Sequence, residues 1–169
     1  LRSGNLSLAR KLVAKVVRRP VDSLDEELVA SAAIETTAEG FVDGFASPLF
    51  YYPLLGVVGA VAYRAVNTLD SEVGYRDELY RDVGWFSAKA DTIANYLPAR
   101  IASLYLILAG WLLGCDWRRG LRALREFRKA TESVNAGWPM SAMAGLLGVR
   151  LEKRGYYQLG WRLSAITPH

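Results

Sequence analysis

Uncharged runs alternate along the chain with short blocks of amides, hydroxyls and charges, and the polar blocks sit directly against the apolar runs. Residues 6–18, LSLARKLVAKVVR, place apolar side chains at helical spacing with basic ones between them. This predicts an amphipathic surface helix, or the cytoplasmic end of a membrane segment lying elsewhere. Arg18-Arg19-Pro20 ends it, because proline disfavours helix at the residue before it. Ser23-Leu24-Asp25-Glu26 has the form of a capping box and predicts a helix over about 24–43, whose many small residues permit close packing.

From Gly44 to Tyr63 roughly 20 residues carry no charge, enough to cross a bilayer as a helix. Pro48, Pro53, Gly56 and Gly59 interrupt the run and predict a broken or re-entrant segment. Residues 101–115, IASLYLILAGWLLGC, form a second apolar stretch that Pro98-Ala99-Arg100 precedes. Residues 116–129, DWRRGLRALREFRK, make a basic amphipathic stretch of the kind that lies at an anionic membrane surface. A third uncharged run, 133–149, contains Asn135, Gly137 and Pro139 and is less clearly a span. The pattern predicts an all-α integral membrane protein with broken or re-entrant apolar segments and polar active-site loops. It is expected to form a single helical domain over residues 1–169, with a compact soluble helical domain as the minority reading.

Composition narrows the chemistry. Hydrophobic residues make up 51% of the 169, with five Trp and nine Tyr. The net charge of +4 is spread along the chain, whereas nucleic-acid binding would need a dense basic stripe, so no nucleic-acid partner is expected. One cysteine, Cys115, excludes an internal disulfide and, with His169 the one histidine, excludes a zinc pattern. No signal peptide is legible. Neither the phosphate-cradling glycine loops nor the Gly-x-Ser-x-Gly elbow occurs, so no nucleophile–base pair is visible.

Carboxylates, amides and cations remain. Glu35, Glu39 and Asp43 follow one another at i, i+4 and i+8, on one stripe of the predicted helix. Like charges in a row repel unless a cation neutralises them, and magnesium, with its hard oxygen ligands, is the natural one. A solvated acidic face is the alternative, but Asp43 runs into the apolar segment, where an ionised group is costly. Asp70 follows that segment within Asn67-Thr68-Leu69-Asp70-Ser71, where it either caps the next helix or joins a site. Asp91 and Asn95 are four apart on a further helical stretch that Pro98-Ala99-Arg100 is expected to close. Arg76, Arg81, Lys89 and Arg100 offer charges suited to phosphate or carboxylate, unless they are ordinary juxtamembrane residues.

Three runs in order, AAIETTAEGFVDGFASPLFYYPLLG, AYRAVNTLDSEVGYRDELYRDVGWFSAKADTIANYLPARI and SVNAGWPMSAMAGLLGVRLEKRGYY, resemble the adenosylcobinamide-phosphate synthase family of cobalamin biosynthesis. The likeness covers roughly residues 6–160, and the Asn-Thr-Leu-Asp-Ser block followed by Val-Gly-Tyr and Asn-Tyr-x-Pro-Ala-Arg is specific. The chain differs from the family pattern at Gly40, Thr92 and Val134, where the family usually has Asn, Asp and Pro.

The resemblance implies ATP- and magnesium-dependent amide formation. In the family, the propionate carboxylate of adenosylcobyric acid is joined to 1-amino-2-propanol or its phosphate. On this reading Glu35, Glu39, Asp43 and Asp70 hold magnesium and the phosphates of ATP, the co-substrate. Arg76, Lys89 and Arg100 neutralise phosphate or the corrin's carboxylate. Asn67, Asn95 and Asn135 orient substrates, with Thr68, Ser71 and Asp91 beside them. The implied setting is the cell membrane, multi-pass, with the site on the cytoplasmic side and other cobalamin-pathway proteins as further partners. Family members carry hydrophobic segments ahead of the part seen here, which this chain is expected to lack. A non-catalytic corrinoid-binding or scaffold protein of the same family is the alternative. One site needs Glu39 and Asn67–Asp70 together, which implies a hairpin turning between Pro53 and Gly59 in place of a simple crossing.

Overall fold

The computed structural model describes residues 5–17, 19–73 and 81–166, so Arg76 lies outside the described residues. Helix α1 (Leu6–Val13) is capped by Asn5, whose side chain accepts from the Leu8 amide, and is shorter than its apolar pattern. Helix α2 (Glu26–Phe41) begins at Asp25, which accepts from the Leu28 amide at 2.9 Å. The cap is therefore Asp25 and not Ser23: its carboxylate reaches a first-turn amide and lies at the positive end of the helix dipole. Ala9 and Val13 of α1 bury against Leu28, Val29 and Ala32 of α2.

At Val42–Ala46 the α2 helix loosens into a π turn and then continues as α3 (Ser47–Val73). Gly56 interrupts α3 at φ 65° and ψ −160°, a region open essentially to glycine alone. The chain reverses there. Tyr51 and Tyr63 would be about 18 Å apart along a straight helix, yet their rings stack with centroids 5.5 Å apart. Gly59 permits the close approach of the two limbs, since a Cβ there would lie 3.2 Å from the Tyr51 carbonyl oxygen. Residues 44–63 thus form a helical hairpin rather than a straight crossing. Asn67 to Ser71 lie in the returning limb as helix, not in a turn, because the limb stays helical to Val73.

Helix α4 (Arg81–Ala94) leads to α5 (Tyr96–Leu112) through a 45° bend at Asn95. The segment Pro98-Ala99-Arg100 opens α5 and closes nothing, since proline is tolerated in a first turn where its missing N–H is not needed. Helix α6 (Trp117–Phe127) packs on α7 (Gly137–Leu147) through small residues, with Gly145 against Ala123 and Gly120. The run 133–149 therefore supplies a core helix: Met140, Ala142 and Ala144 are fully buried between α2, α5 and α6. The apolar side of α6 faces α5 and α7, leaving Arg118, Arg122 and Arg125 exposed.

The expectation of purely helical structure needs one correction. Strands β1 (Leu151–Lys153) and β2 (Tyr157–Leu159) pair antiparallel, and Gly155 at φ 77° makes the turn. Leu151 and Leu159 share one register position and bury together against α2 and α7, which holds the hairpin to the helices.

Arg119 closes the C-terminus of α7. Its Nε–H donates to the Gly145 carbonyl at 2.6 Å and its Nη2 to the Leu146 carbonyl at 3.1 Å. Arg119→Ala is expected to lower stability by about 1–2 kcal/mol through these orphaned carbonyls. Thermal melting measures the loss, and the activity per folded molecule should not change.

By length and composition, one helical stretch, Glu26–Val73, is apolar enough to cross a membrane, and the bent pair Gly84–Ala94 with Tyr96–Leu112 passes the same test if taken as one.

Candidate active site

The fold-back at Gly56 and the bend at Asn95 place polar residues around one cavity of about 900 Å³. Its acidic wall combines Glu39 from α2, Asp43 from the π turn, Asp70 from the returning limb of α3 and Asp91 from α4. Glu35, Ser71, Asn95 and Asn135 also line it, so α2, the π turn, α3, α4, the Asn95 bend and the turn before α7 contribute to a single space.

A chain of hydrogen bonds holds the wall together. Asn95 is 3% exposed. Its side-chain oxygen accepts from Ser47 Oγ at 2.7 Å and Tyr63 Oη at 2.9 Å, and its amide donates to both Asp91 oxygens at 3.1 Å. Asn67 also donates to Asp91, at 3.1 Å, and accepts from Arg64 at 3.0 Å, while Arg64 reaches the Asp43 carbonyl at 3.1 Å. Both limbs of the hairpin are thereby tied to the α4–α5 bend. Asn95→Ala would leave the buried hydroxyls of Ser47 and Tyr63 without their shared acceptor. An expected cost of about 2–3 kcal/mol corresponds to a melting temperature lower by about 5–10 °C. An unchanged melting temperature would show that this network does not hold the bend.

Electrostatics separates the carboxylates. Burial raises Glu39 to a pKa of about 7, with Asp43 and then Glu35 adding to the effect. Burial raises Asp43 to about 6, with Asp91 the next cause. Glu35 is 5% exposed and occupied: one oxygen accepts from Ser31 at 2.6 Å, the other from Tyr157 at 2.8 Å and from Arg19 at 3.3 Å. The i, i+4, i+8 stripe thus divides into a braced member and two that carry unfavourable charge into the cavity.

Among the described residues no three carboxylate, histidine or cysteine side chains gather as a metal cage. The donor set still fits magnesium carried by a nucleotide, which takes one or two carboxylates and completes its shell with phosphate oxygens and water. Glu39 and Asp43 suit that role, since their mutual repulsion is what a cation relieves.

Several expected residues lie elsewhere. Thr68 and Lys89 are exposed on α3 and α4, away from the cavity lining. Arg100 is a strut: it lies 3.5 Å over the Tyr96 ring and 4.7 Å from the Trp138 ring, bonds the Tyr96 carbonyl, and donates to Asn135 at 3.0 Å. Asn135 in turn donates to the Thr92 carbonyl at 2.9 Å, joining the turn before α7 to α4. Sequence reasoning missed Arg19, Lys153 and Tyr157 in the lining, and Tyr63 and Arg64 in the supporting network. Tyr63 and Arg64 precede Asn67 by one helical turn, a spacing that could have flagged them; the β hairpin that delivers Lys153 and Tyr157 left no such signal.

Comparison with known proteins identifies the family. The family model described as CobD/Cbib protein matches residues 1–166. The chain is 47% identical over 152 residues, 90% of its length and 51% of the relative's, to the probable cobalamin biosynthesis protein CobD of Methanothermobacter thermautotrophicus. It is 46% identical over 167 residues to the protein of the same description from Aeropyrum pernix, covering 95% of the chain and 52% of the relative. It is 46% identical over 155 residues to the cobalamin biosynthesis protein CobD of Listeria monocytogenes, covering 89% and 48%. The chain spans about half the length of these relatives. No solved structure matches it. With nearly the whole chain matched by the family model and by relatives at this identity, the chain belongs to the CobD/Cbib protein family.

Proposed function

We propose that the cavity carries out ATP-dependent amide ligation in cobalamin biosynthesis, converting adenosylcobyric acid to adenosylcobinamide or its phosphate with 1-amino-2-propanol or its phosphate as the amine. The observation that carries this reading is the convergence of Glu39, Asp43, Asp70 and Asp91 from four separate segments on one space. Such a wall is costly to build and is suited to a substrate that arrives with divalent cations. Magnesium, bound with the nucleotide, supplies charge neutralisation at the phosphates.

In the proposed chemistry the propionate oxygen attacks the terminal phosphorus of ATP, the bond to ADP breaks, and an acyl phosphate forms. The amine nitrogen then attacks the acyl carbon, and phosphate leaves with the oxygen it gained from the acid. The proton shed by nitrogen passes to a carboxylate of the cavity wall. Glu39 and Asp43 orient the nucleotide, while Asn95 and Asn67 hold Asp91 in place. These groups act by positioning and charge stabilisation, without a protein nucleophile.

The same reading places the chain at a lipid bilayer. Only 11% of the most apolar window within Glu26–Val73 is buried, unlike a core helix. Leu54, Leu55, Val57, Val58 and Val61 stand exposed around the hairpin tip, and Leu104, Leu108 and Leu112 stand exposed on α5 with Leu113 just beyond its end. The hairpin enters lipid and returns on the side it came from, leaving Glu39 and Asp43 at its aqueous foot. Use of ATP assigns that side to the cytoplasm.

A non-catalytic corrinoid-binding or scaffold role is the second reading, favoured by Gly40 and Thr92 lining the cavity where the family usually has Asn and Asp. Mass spectrometry of adenosylcobyric acid incubated with the detergent-solubilised chain, magnesium-ATP and aminopropanol phosphate separates the two. A product heavier by the condensed amine supports the ligase. Corrinoid retained by the protein without product supports the binding role.

A further inference from the structure

The acidic wall leaves one need of the ligase reading unmet: a phosphoryl group that arrives without metal is repelled by Glu39 and Asp43. Among the described residues, the cations lining the cavity are Arg19 and Lys153. We propose that Arg19 and Lys153 form a phosphoryl-binding subsite at the end of the cavity next to Glu35, with Glu35 and Tyr157 as its positioning residues. This inference rests on the ligase reading and deepens it.

Arg19 is held in place from two directions. Its side chain is 15% exposed, with one nitrogen 3.3 Å from Glu35 and another donating to the Glu152 carbonyl at 3.5 Å. A guanidinium carries five N–H groups, so this anchoring leaves others for a ligand. Glu35 is itself immobilised, because Tyr157 and Ser31 donate to its two oxygens. Ser31 also accepts from the Glu152 amide at 2.8 Å, which pins β1 to α2.

Lys153 follows on that strand. Among the described residues it makes no ion pair, and its ammonium stands 4.3 Å from the centroid of the Tyr156 ring. Both cations act on Glu39, whereas Asp43 is influenced by Asp91 and Arg64, so Arg19 and Lys153 belong to the Glu35–Glu39 side of the cavity. One fixed guanidinium and one ammonium without an ion-pair partner among the described residues together suit the double charge of a phosphoryl group, where a lone carboxylate would need the guanidinium alone.

Two sources share this chemistry: the phosphate of a phosphorylated amine, and the terminal phosphate of ATP. Calorimetric titration of the detergent-solubilised chain with inorganic phosphate tests the subsite without requiring turnover. Wild type is expected to bind phosphate. Lys153→Met, at a partly exposed strand position that tolerates the change, is expected to weaken binding at least tenfold, as is Arg19→Gln. Lys11→Met, exposed on α1, is the control and should bind as wild type does. If phosphate still binds with a non-hydrolysable magnesium-ATP analogue present, the subsite serves the amine; if the analogue displaces it, the subsite serves the nucleotide.

Equal phosphate affinity in wild type and Lys153→Met, or no phosphate binding by the folded wild type, overturns the proposal. Failure of the ligase reading looks different: phosphate binds and Lys153→Met weakens it, yet no amide product forms. Where product does form, Lys153→Met should raise KM for the phosphorylated substrate with little change in kcat.

Discussion

Glu39→Gln is expected to abolish amide formation and, at neutral pH, to make the protein more stable. The two effects have one origin. Glu39 is pushed up to about 7 by burial and by Asp43, so the folded chain binds its proton more tightly than the unfolded chain does. A raised carboxyl contributes stability that is fully present below its unfolded value near 4.5 and is lost as pH rises through about 7. At pH 8 the ionised side chain therefore opposes folding, by about 1–3 kcal/mol at one pKa unit per 1.36 kcal/mol and some solvent screening. Glutamine keeps the shape and removes the charge. Melting curves at pH 5 and pH 8 should show the variant's advantage at the higher pH only. Magnesium-ATP should stabilise wild type more than the variant, because the carboxylate is what the cation neutralises. Loss of activity by on the order of 10²-fold or more is the accompanying kinetic expectation. A variant that is both active and no more stable would remove Glu39 from the site.

Gly56→Ala is expected to cost more activity than its local strain explains. At φ 65° and ψ −160° a side chain adds about 1–3 kcal/mol of strain. The chain can relieve it only by opening the fold-back that sets Tyr63 against Asn95, and Asn67 against Asp91, across the limb that carries Ser47. Opening separates Asp43 from Asp70 and dismantles the acidic wall. Gly114→Ala provides the comparison, since Gly114 has φ 77° and open space around it beyond the end of α5. Its strain is similar and it lies far along the sequence from the hairpin. The prediction is a large loss of turnover and a clearly lower melting temperature in Gly56→Ala, against near-normal turnover and only the local strain cost in Gly114→Ala.

Much of this architecture was legible in the sequence because it depended on short-range rules. Pro53 and Gly56 announced a break in an apolar run, and the i, i+4, i+8 spacing marked the carboxylates that reach the cavity. Helix bounds were less legible where tertiary contacts decided them. Pro98 reads as a stop in isolation, but it opens α5 because Asn95, fixed by Ser47 and Asp91, had already ended α4. The surroundings of individual cations were illegible for the same reason. Arg100 looked available in the motif Asn-Tyr-x-Pro-Ala-Arg, yet Tyr96 and Trp138 sandwich it within the fold. Arg19 and Lys153 occupy the lining instead, brought there by pairings across 16 and 121 positions that no local pattern encodes.

Isotope transfer tests the central claim, that this cavity activates the acid by phosphoryl transfer before the amine attacks. Adenosylcobyric acid labelled with ¹⁸O in the reacting propionate would be incubated with the chain, magnesium-ATP and aminopropanol phosphate, and the released phosphate analysed by mass spectrometry. The account predicts one ¹⁸O in the inorganic phosphate for each amide formed, with none in adenosine nucleotides. Amide formed with the label in AMP, or with no label in phosphate, would contradict it.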